Sequence, residues 1–197
     1  MTNEEPTDTK PPRTELRRAL IDIVRTAGLE TRDEPFQLTS GAWSRDYIDG
    51  KRALASGADL ELAARAAVEA VAQAGVDGFD AVGGLTMGAD HLSHAIAVVS
   101  GSLWFSVRKK AKEHGKGRAV EGAVLEPRMS VLLVDDVVTT GGSIQQAFEA
   151  VADTGVAVVA ALTLVDRGEV AARFFAEQGV TYVPLATYHD LDIEPVE

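Results

Sequence analysis

The stretch from Ser130 to Ser143, SVLLVDDVVTTGGS, constrains the fold more than any other part of the chain. Its opening run of Val and Leu has the composition of a strand buried on both faces of a parallel sheet. Asp135 and Asp136 end that run, Thr139-Thr140-Gly141-Gly142-Ser143 follow, and IQQAFEAVADTG continues with a helical pattern. Strand, acidic pair, hydroxyl- and Gly-rich turn and helix N-terminus together describe an anion site. The glycines let backbone N–H groups approach an anion, and the helix adds its orphan N–H groups and positive dipole end. The Thr and Ser hydroxyls add side-chain hydrogen bonds.

The acidic pair distinguishes this loop from other phosphate cradles. Neither Gly-x-x-x-x-Gly-Lys-Ser/Thr nor Gly-x-Gly-x-x-Gly after a first strand is present. Carboxylates just before the cradle suit a sugar phosphate, because they accept from vicinal ribose hydroxyls while the loop holds the 5'-phosphate. Any one of these residues alone reads as a loop residue or a helix cap. The whole run in this order reads as a site.

With 197 residues the chain is most simply one domain with a good core. No apolar run approaches the length of a bilayer span, no signal-peptide core opens the chain, and there are no cysteines. Disulfides, thiolate metal sites and Cys nucleophiles are thereby excluded, and the expectation is a cytoplasmic protein without membrane contact. A net charge of −11 argues against a nucleic-acid partner, whose binding rests on neutralising phosphates.

Residues 1–13 are polar and proline-bearing, and read as a disordered lead-in to a single domain over 14–197. From Thr14 a helical pattern places Leu16, Leu20, Ile21 and Val24 on one face until Gly28. Residues 35–49 read as irregular or strand-like around a Ser-Gly turn. Leu60 to Ala74 reads as a helix, with Ser56 or Asp59 as N-cap. Phe79–Gly84 is a strand running into a Gly turn, GADHLSHAIAVVSG a helix, and Leu103–Val107 a buried strand. After the SVLLVDD strand and its helix, Val156–Val165 is another strand, ending at Asp166-Arg167-Gly168. A helix (Glu169–Gln178), the strand VTYVPL and a short acidic tail follow. This alternation predicts an α/β fold, a twisted and mostly parallel sheet flanked by helices. Ligands of such sheets bind beyond the carboxyl ends of the strands. Gly83–Asp90, Arg108–Arg118, Asp135–Ser143 and Asp166–Arg167 all fall there.

The second strong signal is VRKKAKEHGKGRAVEG. It sets Arg108, Lys109, Lys110, Lys112, Lys116 and Arg118 against Glu113 and Glu121, punctuated by glycines. Alone, such a run is usually a solvated loop. Beside a sugar-phosphate site it suits a lid over a pyrophosphate leaving group.

VLLVDDVVTTGGS resembles the phosphoribosyl pyrophosphate (PRPP) motif of type I phosphoribosyltransferases, and RKKAKEHGKG is similar to the catalytic loop of the orotate phosphoribosyltransferase family. The resemblance spans residues 35 to 170 and implies that family's fold, with a small N-terminal hood formed mainly by residues 14–50. It implies transfer of ribose 5-phosphate from PRPP to orotate, with Mg²⁺ carried mostly on substrate oxygens and waters and no direct protein ligand assigned. The resemblance places PRPP on Arg108, Lys109, Lys112, His114, Asp135, Asp136, Val137, Val138, Thr139, Thr140, Gly141, Gly142 and Ser143. Lys112, His114, Asp135 and Asp136 carry the catalytic roles. Leu85, Thr86, Met87 and Gly88 form a pyrophosphate loop, and Thr139 and Arg167 meet orotate, Arg167 by fork geometry on its carboxylate. Ser40 and Gly41 match the hood's Ser-Gly turn, and Tyr47 is a candidate for stacking on the base. The family also implies a homodimer that shares the Arg108–Arg118 loop across subunits.

Two departures stand out: many family members carry a basic residue where this chain has Met87 or Thr39. His91 and His94, three apart, lack a third metal partner at suitable spacing and read as structural. The rival readings are a phosphoribosyltransferase for another base and a non-catalytic PRPP-sensing regulator of the same fold.

Overall fold

A computed structural model describes residues 14–38, 41–109 and 119–196. The lead-in over 1–13, Thr39 and Ser40 of the hood turn, and Lys112 and His114 of the basic loop lie outside the described residues.

Helix α1 (Glu15–Ile23) starts at Thr14, whose side chain accepts from the Arg17 N–H, and continues as a π-helical turn over Val24–Gly28. Arg17 then pins the helix to the far end of the chain, donating to the carbonyls of Leu185 (2.7 Å) and Pro184 (2.8 Å). Strands β1 (Leu29–Gln37) and β2 (Trp43–Ile48) pair antiparallel as a separate hairpin, the N-terminal hood. The expected strand-like segment therefore begins earlier than residue 35. LETRDE carries no apolar alternation because that part of β1 faces solvent along its length. A single turn, α2 (Gly50–Ala53), capped by Asp49, and α3 (Gly57–Gln73), capped by Ser56, follow.

The main sheet has the order β5-β4-β3-β6-β7-β8, with β3 (Ala81–Leu85), β4 (Leu103–Val107), β6 (Ser130–Val138), β7 (Ala157–Asp166) and β8 (Thr181–Thr187) parallel. Among the described strands of this sheet only the short edge strand β5 (Val120–Gly122) runs antiparallel. Period-two alternation along β6 divides the core. Leu132 and Val134 face α1, α3 and α4 (Asp90–Ser100), whereas Val131 and Leu133 face α5 (Gly142–Ala152) and α6 (Val170–Glu177). The predicted mostly parallel sheet with helices on both faces is present.

Three local expectations need correction. Asp135 and Asp136 do not end their strand; pairing to β7 continues through Asp135↔Thr163 to Val138↔Asp166. The long apolar run of β7 supplies a ladder that overrides the low strand preference of Asp. Gly83 and Gly84 lie inside β3 rather than in a turn. A Cβ on Gly83 would overlap the Phe105 carbonyl, and one on Gly84 would overlap the Val134 carbonyl and stand 2.7 Å from Ala89 Cβ. The acidic tail is not a simple extension either: it forms α7 (Tyr188–Leu191), closed by a capping box between Thr187 and Asp190.

Gly84→Ala must therefore push strands apart in a fully buried layer. Overpacking of this kind costs about 1–3 kcal/mol, which lowers the melting temperature of a chain this size by roughly 4 °C or more. Thermal denaturation followed by circular dichroism checks it.

Candidate active site

The carboxyl ends of β3, β4, β6 and β7 all open on one edge of the sheet, and the four predicted segments begin there. Two adjoining cavities occupy that edge. The first, about 380 Å³, is lined by Leu85, Lys109, Asp135 and the run from Val137 to Ser143, together with Gln146. The second, about 230 Å³, lies on the hood side, between Tyr47, Lys51, Asp136, Val137, Thr139 and Arg167. Val137 and Thr139 line both.

The first cavity lies at the run expected from the sequence to cradle a phosphate. Gly141 takes φ +76°, a left-handed conformation that suits glycine, and so turns the chain from β6 into α5. The helix starts with Gly142 and Ser143, leaving its first N–H groups directed at the cavity end of the loop. Gln146, one turn into α5, donates to the Lys109 carbonyl (2.9 Å) and so ties the start of the basic segment to the cradle.

The acidic pair stands between the cavities. Asp135 is 4% exposed. Its Oδ1 accepts from the Asp136 N–H at 3.0 Å, and Asp136 Oδ1 accepts from the Val137 N–H at 2.7 Å. Burial, followed by the charge of Asp136, pushes the Asp135 carboxyl up to about 7. The Thr163 hydroxyl supports the pair from below through the Asp136 carbonyl (3.1 Å). The loop after β3 closes against the pair from the side: a Cβ on Gly88 would stand 2.8 Å from Asp135 Oδ1 and 3.0 Å from Asp136 Oδ1. Only backbone fits there, whereas Met87 beside it is exposed. The Thr86 N–H is held by the Val107 carbonyl (2.8 Å).

Lys51 was not predicted. Its Nζ lies 2.7 Å from Asp136 Oδ2, bridging the hood's α2 to the acidic pair. Burial disfavours its charge, but the hydrogen bond and charge of Asp136 outweigh that and raise its pKa. With the amine half exposed, the pair is worth about 0–1 kcal/mol to the fold.

Arg167 lines the hood-side cavity without being open to it. Its side chain is almost fully buried, with Nη1 donating to the Asp46 carbonyl (2.7 Å) and Nη2 to Ser44 Oγ (3.1 Å) and the Glu194 carbonyl (3.2 Å). Neither Asp166 nor Glu169 holds its guanidinium in these contacts. Asp166 instead accepts from the Tyr182 hydroxyl (2.9 Å) and the Gly168 N–H (3.1 Å). Arg167 Nε has no hydrogen-bond partner among the described residues. Arg108 points away from both cavities, to Glu121 on β5 (3.0 Å). His94 packs edge-on against Trp104, with 4.6 Å between centroids. His91 is partly buried near Asp136 and Lys51, and burial lowers its pKa. Among the described residues no cluster of His, Cys, Asp and Glu could hold a metal, and no helix is long and apolar enough to cross a membrane.

A parallel sheet that presents an acidic pair and a Gly-Gly-Ser helix start on one edge agrees with a phosphoribosyl transferase domain, and residues 81–174 match the phosphoribosyl transferase domain family. The orotate phosphoribosyltransferase of Pyrococcus furiosus is 39% identical over 156 residues, 79% of this chain and 85% of that one. The chain also superposes on the Aeropyrum pernix orotate phosphoribosyltransferase with TM-score 0.73 and 34% identity, covering 89% of this chain and 95% of that one. It superposes on the Mycobacterium tuberculosis orotate phosphoribosyltransferase in complex with PRPP with TM-score 0.70 and 30% identity, over 90% and 92% of the two chains. The chain belongs to the orotate phosphoribosyltransferase family.

The raised pKa of Asp135 makes the ligand-free fold pH-sensitive. Between the ordinary value of 3.8 and about 7 the native state holds a proton that the unfolded chain has released, so stability falls as pH rises through that window. Asp135→Asn keeps the shape and removes the titration. Its melting temperature should match the parent near pH 4 and exceed it by roughly 10 °C at pH 8, measured by calorimetry.

Proposed function

We propose that this protein transfers ribose 5-phosphate from PRPP to orotate, giving orotidine 5'-monophosphate and pyrophosphate, as a pentosyltransferase of pyrimidine biosynthesis. The observation that carries the reading is the Asp135–Asp136 pair, the first buried and the second partly exposed, set between a phosphate cradle and a second cavity roofed by the hood. Membership of the orotate phosphoribosyltransferase family supports orotate over other bases, and so neither rival reading is favoured.

In this reading the 5'-phosphate sits on Thr139 to Ser143 at the start of α5, and the ribose lies across the acidic pair. Asp135 and Asp136 accept from the ribose hydroxyls and stabilise the positive charge that builds at C1' as the diphosphate leaves, a task for fixed carboxylates also met in glycoside hydrolysis. The backbone of Leu85, Thr86, Met87 and Gly88 faces the diphosphate. Lys109, already tied to Gln146, reaches it from the cradle side. The resemblance supplies Arg108, Lys112 and His114 as further cations for the leaving group. Arg108 would exchange Glu121 for the diphosphate, a modest cost for a pair of this exposure. The base occupies the hood-side cavity beside Thr139, Tyr47 and Arg167.

Mg²⁺ fits this donor set, since the ion is commonly held by one or two carboxylates together with substrate phosphates and waters. Asp135 and Asp136 would hold it through ribose hydroxyls and water, and when bound it neutralises diphosphate charge. A homodimer is part of the proposal. The α4–β4 side exposes Val98, Leu103 and Trp104, an apolar group suited to burial by a second copy.

Purified protein with Mg²⁺ and PRPP should consume orotate, seen as loss of its absorbance, and leave uracil, adenine and guanine untouched. No turnover of orotate overturns the reading. Lys112→Ala should lower kcat far more than it raises KM for PRPP. If the basic loop is shared, mixing inactive Lys112→Ala with inactive Asp136→Asn and allowing subunits to exchange should restore roughly a quarter of parent activity, through heterodimers with one intact site.

A further inference from the structure

The hood-side cavity contains two cations, Arg167 and Lys51, and they are built differently. Arg167 is a wall. Three of its donor hydrogens are committed to Asp46, Ser44 and Glu194, joining the hood and the C-terminal segment to the end of β7. Its side chain is 1% exposed. Freeing its two Nη groups for an incoming carboxylate would orphan carbonyls on two other segments.

Lys51 is different in each respect. Its side chain is 50% exposed, and its only contact of hydrogen-bond length described is Asp136 Oδ2 at 2.7 Å. The base of the side chain is nevertheless fixed. Asp49 caps α2 by accepting the Arg52 N–H (2.9 Å). A Cβ on Gly50 would stand 3.2 Å from Leu164 Cδ2 and 3.3 Å from Asp136 Cβ, so α2 packs directly on the core sheet. The backbone is anchored while the four-carbon stem keeps its reach inside the cavity.

The carboxylate that Lys51 holds is the one that the ribose hydroxyls need. When the sugar binds, Asp136 gains new donors and the amine loses its exclusive partner inside a small cavity next to where the base must enter. We propose that Lys51 is a substrate-binding residue that passes from Asp136 to the carboxylate of the acceptor base, and so selects a carboxylated pyrimidine. This rests on the orotate reading. It gives the carboxylate to Lys51 and leaves Arg167 as the wall of the cavity.

The test compares the parent with Lys51→Met and Lys51→Arg, each first shown by circular dichroism to melt as the parent does. KM for orotate and PRPP is measured in each, together with inhibition by uracil, a ring lacking the carboxylate. Lys51→Met should raise KM for orotate roughly tenfold or more, the loss expected of a charge-assisted hydrogen bond, with KM for PRPP within about twofold. Lys51→Arg should recover most of the loss. Uracil should inhibit parent and Lys51→Met equally, so that the preference for the carboxylated ring shrinks.

An unchanged KM for orotate in Lys51→Met overturns the proposal. So does a fall in kcat accompanied by a rise in KM for PRPP alone, because that result makes Lys51 only a positioning residue for Asp136. If the parent itself fails to turn over orotate, the orotate reading has failed, and this assignment falls with it. An active parent with an indifferent Lys51→Met condemns the assignment alone.

Discussion

The site depends on keeping two adjacent carboxylates, one buried and one partly exposed, towards the carboxyl end of a parallel strand. Such a pair is costly, since each charge raises the energy of the other and burial removes the water that would separate them. The structure handles the two members differently. Asp135 turns inward, where its Oδ1 accepts from the Asp136 N–H and burial pushes its carboxyl up to about 7. Asp136 remains partly exposed and is matched by Lys51 at 2.7 Å. One carboxyl is thus pushed towards its neutral form by burial, and the other is paired to an amine. This arrangement lets both persist in the resting protein while leaving both able to gain donors from a sugar.

Everything around the pair serves its placement. Continued pairing to β7 carries both residues past the point where their own propensities would have ended the strand. Gly88 leaves room for the loop after β3 to close against the carboxylates, and Thr163 anchors the Asp136 carbonyl from the neighbouring strand. The hood is held to this edge by side chains, through Lys51 on Asp136 and Arg167 on Asp46 and Ser44. Those two cations also line the hood-side cavity, so the same contacts that fasten the hood shape that cavity.

Much of this was legible locally. SVLLVDDVVTTGGS contains strand, acidic pair, cradle and helix start in consecutive residues, and each signal acts over a few positions, so the order of the chain reveals the site. The parallel sheet followed from the alternation of apolar runs and helical patterns. The features that escaped depend on distant partners. Lys51 reads as one charged residue in a polar turn, and its partner lies 85 positions further on. Gln146 reads as the solvent face of a helix until the Lys109 carbonyl meets it. Arg167 looked free to fork a substrate because its acceptors, 121 and 27 positions away, are backbone carbonyls and carry no sequence signal. Gly83 and Gly84 looked like a turn because the close approach of neighbouring strands that excludes a Cβ exists only in the folded sheet.

The central claim is that the Asp135–Asp136 pair reads the vicinal hydroxyls of a ribose whose phosphate is held by the cradle. Competition against PRPP by ribose 5-phosphate and by 2-deoxyribose 5-phosphate tests it most directly, since the two ligands share the phosphate and differ at one hydroxyl. Ribose 5-phosphate should inhibit the parent roughly tenfold more tightly, the loss expected when a hydrogen bond to a charged group is removed, and that advantage should vanish in the double variant Asp135→Asn/Asp136→Asn. Equal inhibition of the parent by the two sugars would contradict the claim.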